Sequence, residues 1–498
     1  MAVNPLLYEI NTRCLLADLS RQLSRPATLH DISDTEITRW QSLGFSHVWL
    51  MGVWPNGERV RQHGLQQPAL LKRYHELLPD WSPADVGGST YGISAYEPDE
   101  KIGGRQALIA FRERLQAQGL RLILDFIPNH FGLDHPWVTE RPDLLIHSRR
   151  KLPGCLPTQH NGKRLWIAHG KDPYFDPWSD TAQIDYRNPA ARHEMIKELV
   201  KVSSLCDGVR CDMAMLVLND IFAETWKQMP SSEPPSEKEF WTDAIQRVRQ
   251  QHPDFIFLAE AYWGREPQLQ HLGFDYTYDK PFLDHLAHQE PARLQHHFHR
   301  AHADLLKEIS FLDNHDEPRI ASRLDKPAQR AAALLWLAQP GMKLIYEGQM
   351  EGWRAQLPVQ LWRRPSEPTD IDLQDYYQQI LQLRQTTAVF GGRCRIHKSL
   401  PAWSGNPSHQ NLFVITWQSL PGKFEVIVVN YAPHRGQCRV RLEPETVGAA
   451  KWTLQDRLGN EIHQRTREDL LGDGLYLDLA AWGAQWFQVS SEQLNHPC

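Results

Sequence analysis

The stretch DGVRCDMAM, residues 207–215, sets Arg210 and Asp212 inside an otherwise small and apolar run. In an extended segment, residues two apart point to the same side. A cation and a carboxylate therefore share one face of a short element, where charge is costly unless it is paired or used. The same texture recurs along the chain. LLYEINTR (6–13), FSHVWLMG (45–52), LRLILDFIPNH (120–130), FIFLAEAYW (255–263), FDYTYD (274–279), ISFLDNHD (309–316) and MKLIYEGQ (342–349) are apolar runs that end abruptly in polar or charged residues. Helix-like segments lie between them, among them 104–119, 189–204 and 327–341. Eight strands alternating with helices predict parallel pairing and closure into a (β/α)8 TIM barrel, with the working face at the C-terminal ends of the strands. The polar residues sit at those ends.

Two stretches break the alternation. Residues 131–188, rich in Pro, Trp and His, read as a domain inserted after the third strand. From residue 393 the signals become those of strands, in NLFVITWQ (411–418), KFEVIVVNYA (423–432), GQCRVRLE (436–443) and AQWFQVS (484–490). They predict a C-terminal antiparallel β-sandwich over 393–498, leaving 1–130 and 189–392 for the barrel. The helical segment 372–385 closes the barrel ahead of it.

The 498 residues are 41% hydrophobic and 23% charged, with a net charge of −6 and no Lys/Arg block, which argues against a nucleic-acid partner. No run approaches a membrane span, and the N-terminus lacks the pattern of a secretory signal. The seven Cys are scattered, with no CxxC pair, which fits a cytoplasmic location. No His-containing metal motif stands out, and the sequence leaves the oligomeric state open.

DFIPNH (125–130), GVRCDMA (208–214), FLAEAYW (257–263) and FLDNHD (311–316) occur in this order, each at a strand end. In them the chain resembles the α-amylase family of retaining glycosidases, which have a barrel, an inserted B domain and a C-terminal β domain. The resemblance makes Asp212 the nucleophile, Glu260 the general acid/base and Asp316 the third carboxylate. It places Asp125, His130, Arg210 and His315 around the sugar, and Tyr91 of STYGISAY (89–96) beneath it. QIDYRNP (183–189) resembles the stretch that ends the family's B domain. No cofactor is expected. A structural calcium ion, which members often hold using the position of Asn129, is allowed by the resemblance but not predicted, because the inserted segment shows no acidic cluster.

These residue types suit the chemistry. Retaining hydrolysis needs one carboxylate to attack the anomeric carbon and one carboxylic acid, about 5–5.5 Å away, to protonate the leaving oxygen. Neighbouring strands about 4.8 Å apart are suitable mounts. Arg210 should keep Asp212 ionised, while the apolar and aromatic neighbours of Glu260 should hold its proton. Each residue also has a plainer reading: a structural ion pair for Arg210 and Asp212, satisfied core histidines at 130 and 315, and loop packing for Tyr91. Of the tryptophans, Trp54, Trp137, Trp178 and Trp263 are candidates to line a sugar cleft.

The expected substrate is an α-1,4 gluco-oligosaccharide or a short α-glucoside. Where the family has a basic residue and a His after the nucleophile, this chain has Met215 and Leu216, which predicts an apolar leaving-group side. The alternative is glucosyl or maltosyl transfer to a sugar, phosphate or small polyol, and LDHPWVTERPDLLI (133–146) resembles the family's maltosyltransferases. A non-catalytic glucan-binding protein is the third reading, disfavoured because all three carboxylates are present.

Overall fold

The computed structural model describes residues 4–230, 236–419, 423–442 and 451–491; Glu443 and Cys498 fall outside them. Eight parallel strands close a barrel: β1 Leu6–Asn11, β2 His47–Met51, β3 Arg121–Phe126, β4 Gly208–Cys211, β5 Ile256–Ala259, β6 Tyr276–Tyr278, β7 Glu308–Phe311 and β8 Met342–Tyr346. Each strand pairs with its sequence neighbours, and β1 pairs with β8. All eight are the apolar runs read from the sequence. Their residues are almost wholly buried because the interior of the barrel and the surrounding helices cover both faces. Gly208 lets β4 nest between its neighbours: a Cβ there would lie 2.7 Å from both the Ile256 carbonyl oxygen and Ile123 Cδ1.

Local chemistry fixes where the helices begin. Asn188 caps the helix Pro189–Ser203, accepting from the Ala190 amide, with Pro189 in its first turn. Asp325 caps Lys326–Ala338 in the same way, accepting from the Ala328 amide.

Three excursions leave the barrel. After β3, His130–Gly132 pairs antiparallel with Thr181–Gln183, and between them lies a sheet of His147–Ser148, Cys155–His160 and Lys163–Ala168. A second excursion, between β2 and the helix Gly104–Ala117, carries helices Glu58–Gln66 and Pro68–Leu77 and ends in the loop that holds Tyr91. The sequence reading did not separate this one. The third follows the helix Ile371–Thr386: a six-stranded antiparallel sheet, beginning at Arg393, packs on a three-stranded one. Val414, Val426 and Val428 face Cys438, Val440 and Leu477 between the two sheets. The alternate residues Ile415, Trp417 and Ile427 join the barrel's core, and Trp417 Nε1 donates to the Ala338 carbonyl at 2.8 Å. Both faces of the larger sheet are therefore covered, which explains its long apolar strands.

Candidate active site

Register places the first pair of carboxylates. Leu258 lies opposite Arg210 and Ala259 opposite Cys211, so the next residues, Asp212 and Glu260, leave adjacent strand ends together. Arg210 joins them: Nη1 donates to Asp212 Oδ1 at 2.8 Å, and Nη2 lies 2.7 Å from Glu260 Oε2. A third carboxylate, Asp125 at the end of β3, has Oδ1 at 3.5 Å from the same guanidinium and accepts from Trp49 Nε1 at 3.2 Å. Arg210 Nε donates to the Tyr278 hydroxyl at 3.3 Å. One buried cation therefore orders three carboxylates from three strands.

The second group forms at the end of β7. His315 Nε2 lies 3.0 Å from Asp316 Oδ2 and 2.6 Å from the Tyr91 hydroxyl, and Nδ1 lies 2.5 Å from Glu9 Oε1. Two rings tie the groups together. Tyr91 stacks on His315 at 5.4 Å, Trp49 meets His315 edge-on at 5.5 Å, and both rings lie 5.2 Å from the Arg210 guanidinium carbon. Asp316 is the open member of the set, its side chain 42% exposed.

Of the sequence-predicted residues, Asp125, Arg210, Asp212, Glu260, His315, Asp316 and Tyr91 thus form one contiguous network. His130 stands at its margin, reaching the Tyr91 backbone and tilting against Trp178 at 5.2 Å. Cys211 packs in the core, fully buried. Trp54 is also core, donating to the Asp125 carbonyl at 2.8 Å, and Trp137 packs on Phe131.

The environments separate the acids. Burial raises Glu260 to about 7, against the pull of Arg210, so it holds a proton near neutral pH. Burial also raises Asp212, opposed by the charge and hydrogen bond of Arg210. The expected depression by Arg210 is present, but desolvation exceeds it. Asp125 rises to about 7, again through burial. Desolvation would raise Asp316 too, yet the adjacent His315 outweighs it and holds that carboxyl below its ordinary value. His315 moves the opposite way: burial disfavours its charge, but Asp316 and Glu9 lift it well above an ordinary imidazole. His130 falls to about 4 through burial and stays neutral.

Sequence reasoning missed Glu9, Trp49, Tyr262 and Tyr278. Glu9 is fully buried on β1, and its signal was available as a lone carboxylate in an apolar strand. Tyr262 donates to Glu260 Oε1 at 2.8 Å, and the Met213 amide donates to Oε2 at 2.7 Å. Trp49 and Tyr278 sit on strands where an aromatic residue reads as core.

Replacing Glu9 by Gln should lower the pKa of His315. The raised imidazole contributes stability that is present below its unfolded value and is lost as pH rises through the folded one. Glu9→Gln is therefore expected to destabilise by about 1.5–3 kcal/mol at mildly acidic pH, with the deficit shrinking as pH rises. Urea unfolding at several pH values checks this; a deficit independent of pH would contradict it.

Beside Glu260 opens a pocket of about 970 Å³, reached past Met213, Tyr262, Trp263 and Phe175. The aromatic rim is open: Tyr174 is 66% exposed and meets Trp263 edge-on at 4.9 Å. Met215 and Leu216 are buried in the turn Ala214–Val217, while Met213, whose left-handed backbone (φ 43°) turns the chain immediately after Asp212, lines the pocket and gives it an apolar surface. The pocket is also rich in acids, with seven Asp and Glu side chains against Lys280 and Arg300, although burial and Asp279 raise one of them, Glu308, to about 8. Both cations are engaged: Lys280 lies 2.5 Å from Asp284 and 3.3 Å from Glu317, and Arg300 pairs with Glu308.

The family's calcium position does not fit an ion here. Gln183 Nε2 donates to the Asn129 carbonyl at 2.8 Å, to Asn129 Oδ1 at 3.1 Å and to the Ile184 carbonyl at 3.0 Å. An amide donor thus occupies the centre of the oxygens that calcium would gather.

Comparison with known proteins gives a consistent family. Residues 40–372 match the family model for the α-amylase catalytic domain. The chain is 21% identical over 394 residues to α-amylase 3 of Dictyoglomus thermophilum, covering 75% of this chain and 69% of that protein. It is 26% identical over 222 residues to the α-1,4-glucan:maltose-1-phosphate maltosyltransferase of Myxococcus xanthus, covering 45% of this chain but only 28% of that one. The crystal structure of the maltogenic α-amylase AmyB from Thermotoga neapolitana superposes with a TM-score of 0.69 over 98% of this chain and 99% of that one, at 16% identity, a likeness of fold. No helix among the described residues is long and apolar enough to cross a membrane.

Proposed function

The chain belongs to the α-amylase family of retaining glycoside hydrolases and transferases, and on that premise we propose that it hydrolyses α-glucosidic bonds in neutral gluco-oligosaccharides or short α-glucosides. The observation that carries this reading is the sharing of Arg210 by Asp212 and Glu260, with Asp316 joined through His315, Tyr91 and Trp49. Asp212, ionised beside Arg210, attacks the anomeric carbon. Glu260 gives its proton to the leaving oxygen and then takes one from water, which resolves the glycosyl-enzyme with retention. Asp316, open to the cleft, and the charged His315 bind ring hydroxyls and favour the cationic transition state.

Charge narrows the donor. A phosphorylated disaccharide would bring its anion toward the acidic pocket, where Lys280 and Arg300 are already paired. Moreover, the stretch that resembles maltosyltransferases packs inside the insertion, where Leu144, Leu145 and Ile146 are fully buried. Like-charge contact costs several kcal/mol, so turnover of a maltosyl phosphate is expected to be at least about 100-fold slower than that of maltotriose. Product analysis by NMR tests both points. Retained α-product from maltotriose with little turnover of the phosphate supports the reading, and comparable use of the two donors overturns it.

A second reading, transfer to a neutral sugar or polyol, is favoured by the apolar and aromatic surface beside Glu260, where Met213 and Trp263 offer an acceptor a platform. Elongated products on adding an acceptor would support transfer over hydrolysis.

At the junction of barrel and insertion, the Gln183 amide already ties together the Asn129 and Ile184 oxygens. Added calcium is therefore expected to leave the melting temperature unchanged; a clear rise would contradict this.

A further inference from the structure

The pocket continues away from the catalytic carboxylates to a second buried cluster that the glycosidase chemistry does not use. Asp279 follows β6, Glu308 opens β7, and His297 lies on the helix Pro291–Phe298, which packs against the helix Lys280–Ala287 that follows Asp279. The three are 2%, 5% and 3% exposed. One ligand atom from each lies within 4.8 Å of the others. Strand pairing holds the carboxylates side by side, since Thr277 is opposite Glu308 and the Asp279 amide donates to the Ile309 carbonyl at 2.8 Å.

Two details bear on what this buried cluster can hold. His297 Nε2 comes to 3.0 Å from Asp279 Oδ2, so an imidazole nitrogen and a carboxylate already face one another in a buried centre. Each carboxylate is, in addition, anchored from outside through its other oxygen or its far edge: Asp279 Oδ1 accepts from the Phe282 amide at 3.3 Å, and Glu308 Oε2 pairs with Arg300. Outer partners of this kind orient ligands toward a common centre.

We propose that Asp279, His297 and Glu308 bind a divalent transition ion of the zinc class, with a fourth position open to water. One imidazole nitrogen and two carboxylate oxygens are ligands that zinc accepts at about 2.0–2.2 Å. In a tetrahedral site ligands at that distance lie about 3.3–3.6 Å apart. The trio, whose ligand atoms lie within 4.8 Å of one another, therefore closes on an ion with side-chain shifts of about an ångström. Calcium, which needs six to eight oxygens, is not served. Asp279, Arg300 and Glu308 line the pocket, which gives the ion its path in. Bound there, it would staple the ends of two adjacent barrel strands to the helix Pro291–Phe298, a role independent of the glycosidase reading.

The test uses the untagged full chain, stripped with a chelator and titrated with Zn2+ by calorimetry, with thermal unfolding in parallel. The chain has 24 His, six of them between His285 and His302, so weak surface binding forms the background. The proposal is therefore read from the difference between wild type and variants. Wild type is expected to take up one tight equivalent and to melt at higher temperature with zinc. Because outer-shell changes alone cost about 10–100-fold in affinity, His297→Gln and the near-isosteric Glu308→Gln should each weaken that site at least about 100-fold and abolish the shift in melting temperature. Should His297→Gln fail to fold, Glu308→Gln decides the matter. Absence of a stoichiometric ion in wild type, or uptake by Glu308→Gln as tight as in wild type, overturns the proposal.

Discussion

Asp212→Asn should fold normally and lose about 10⁴- to 10⁶-fold in kcat on a gluco-oligosaccharide, the range seen when one member of a catalytic unit is removed. That is about 5.5–8 kcal/mol of transition-state stabilisation. The amide keeps the volume and can still accept from Arg210 Nη1, which now lies 2.8 Å from Asp212 Oδ1, but it cannot form the glycosyl ester. Folding should survive because the amide keeps the shape of the site and Arg210 keeps its other polar partners, Glu260 at 2.7 Å and Asp125 at 3.5 Å. In the truncated Asp212→Gly, added azide can enter the emptied space as an external nucleophile, so partial rescue with formation of the β-glucosyl azide is expected there. Unchanged kcat in the folded variant would remove Asp212 from the chemistry.

Glu260→Gln should cost about 10²- to 10⁴-fold on a natural oligosaccharide, the usual worth of a general acid. An aryl glucoside with a good leaving group needs no proton, so its glycosylation step should be nearly spared and the glycosyl-enzyme should accumulate. The pH profile gives a second signature. With Glu260 raised to about 7 by burial, wild-type kcat/KM should fall as pH rises through about 7, when the acid loses its proton. It should fall again on acidification as Asp212, itself raised by burial, is neutralised. The two limbs belong to the pair as a whole, since the carboxylates share Arg210. Glu260→Gln should abolish the alkaline limb on the aryl substrate; a persisting limb would assign it to another group.

The barrel was legible because each strand announces both its length and its end: a run such as LRLILDF is apolar until the chain leaves the barrel, where polar residues begin. The catalytic residues were legible for the same reason. The inserted sheet was not read, although its hairpin carries a local signal. Asn161 and Gly162 both take positive φ between Cys155–His160 and Lys163–Ala168, as an Asn-Gly turn requires. The overlooked element was a two-residue signal inside a stretch broken by Pro157, which reads against a strand.

Partnerships across the chain could not be read at all. Glu9 and His315 meet at 2.5 Å from opposite ends of the barrel sequence, because closure places β1 beside β8 and next but one to β7. No spacing rule reaches so far. The cluster of Asp279, His297 and Glu308 escaped for the same reason, since its members come from the turn after one strand, from the next strand and from a helix rather than from one motif. That Met213 would line the pocket was not legible, because the left-handed turn there has no sequence marker, Met being a residue that seldom adopts it.

Reaction with a fluorinated α-glucosyl fluoride, followed by peptide mapping of the trapped protein by mass spectrometry, bears most directly on the convergence of these acids around one sugar. A single glucosyl adduct on Asp212 is the predicted result. An adduct on Glu260, Asp316 or any other side chain, or product of inverted configuration with no adduct, would contradict it.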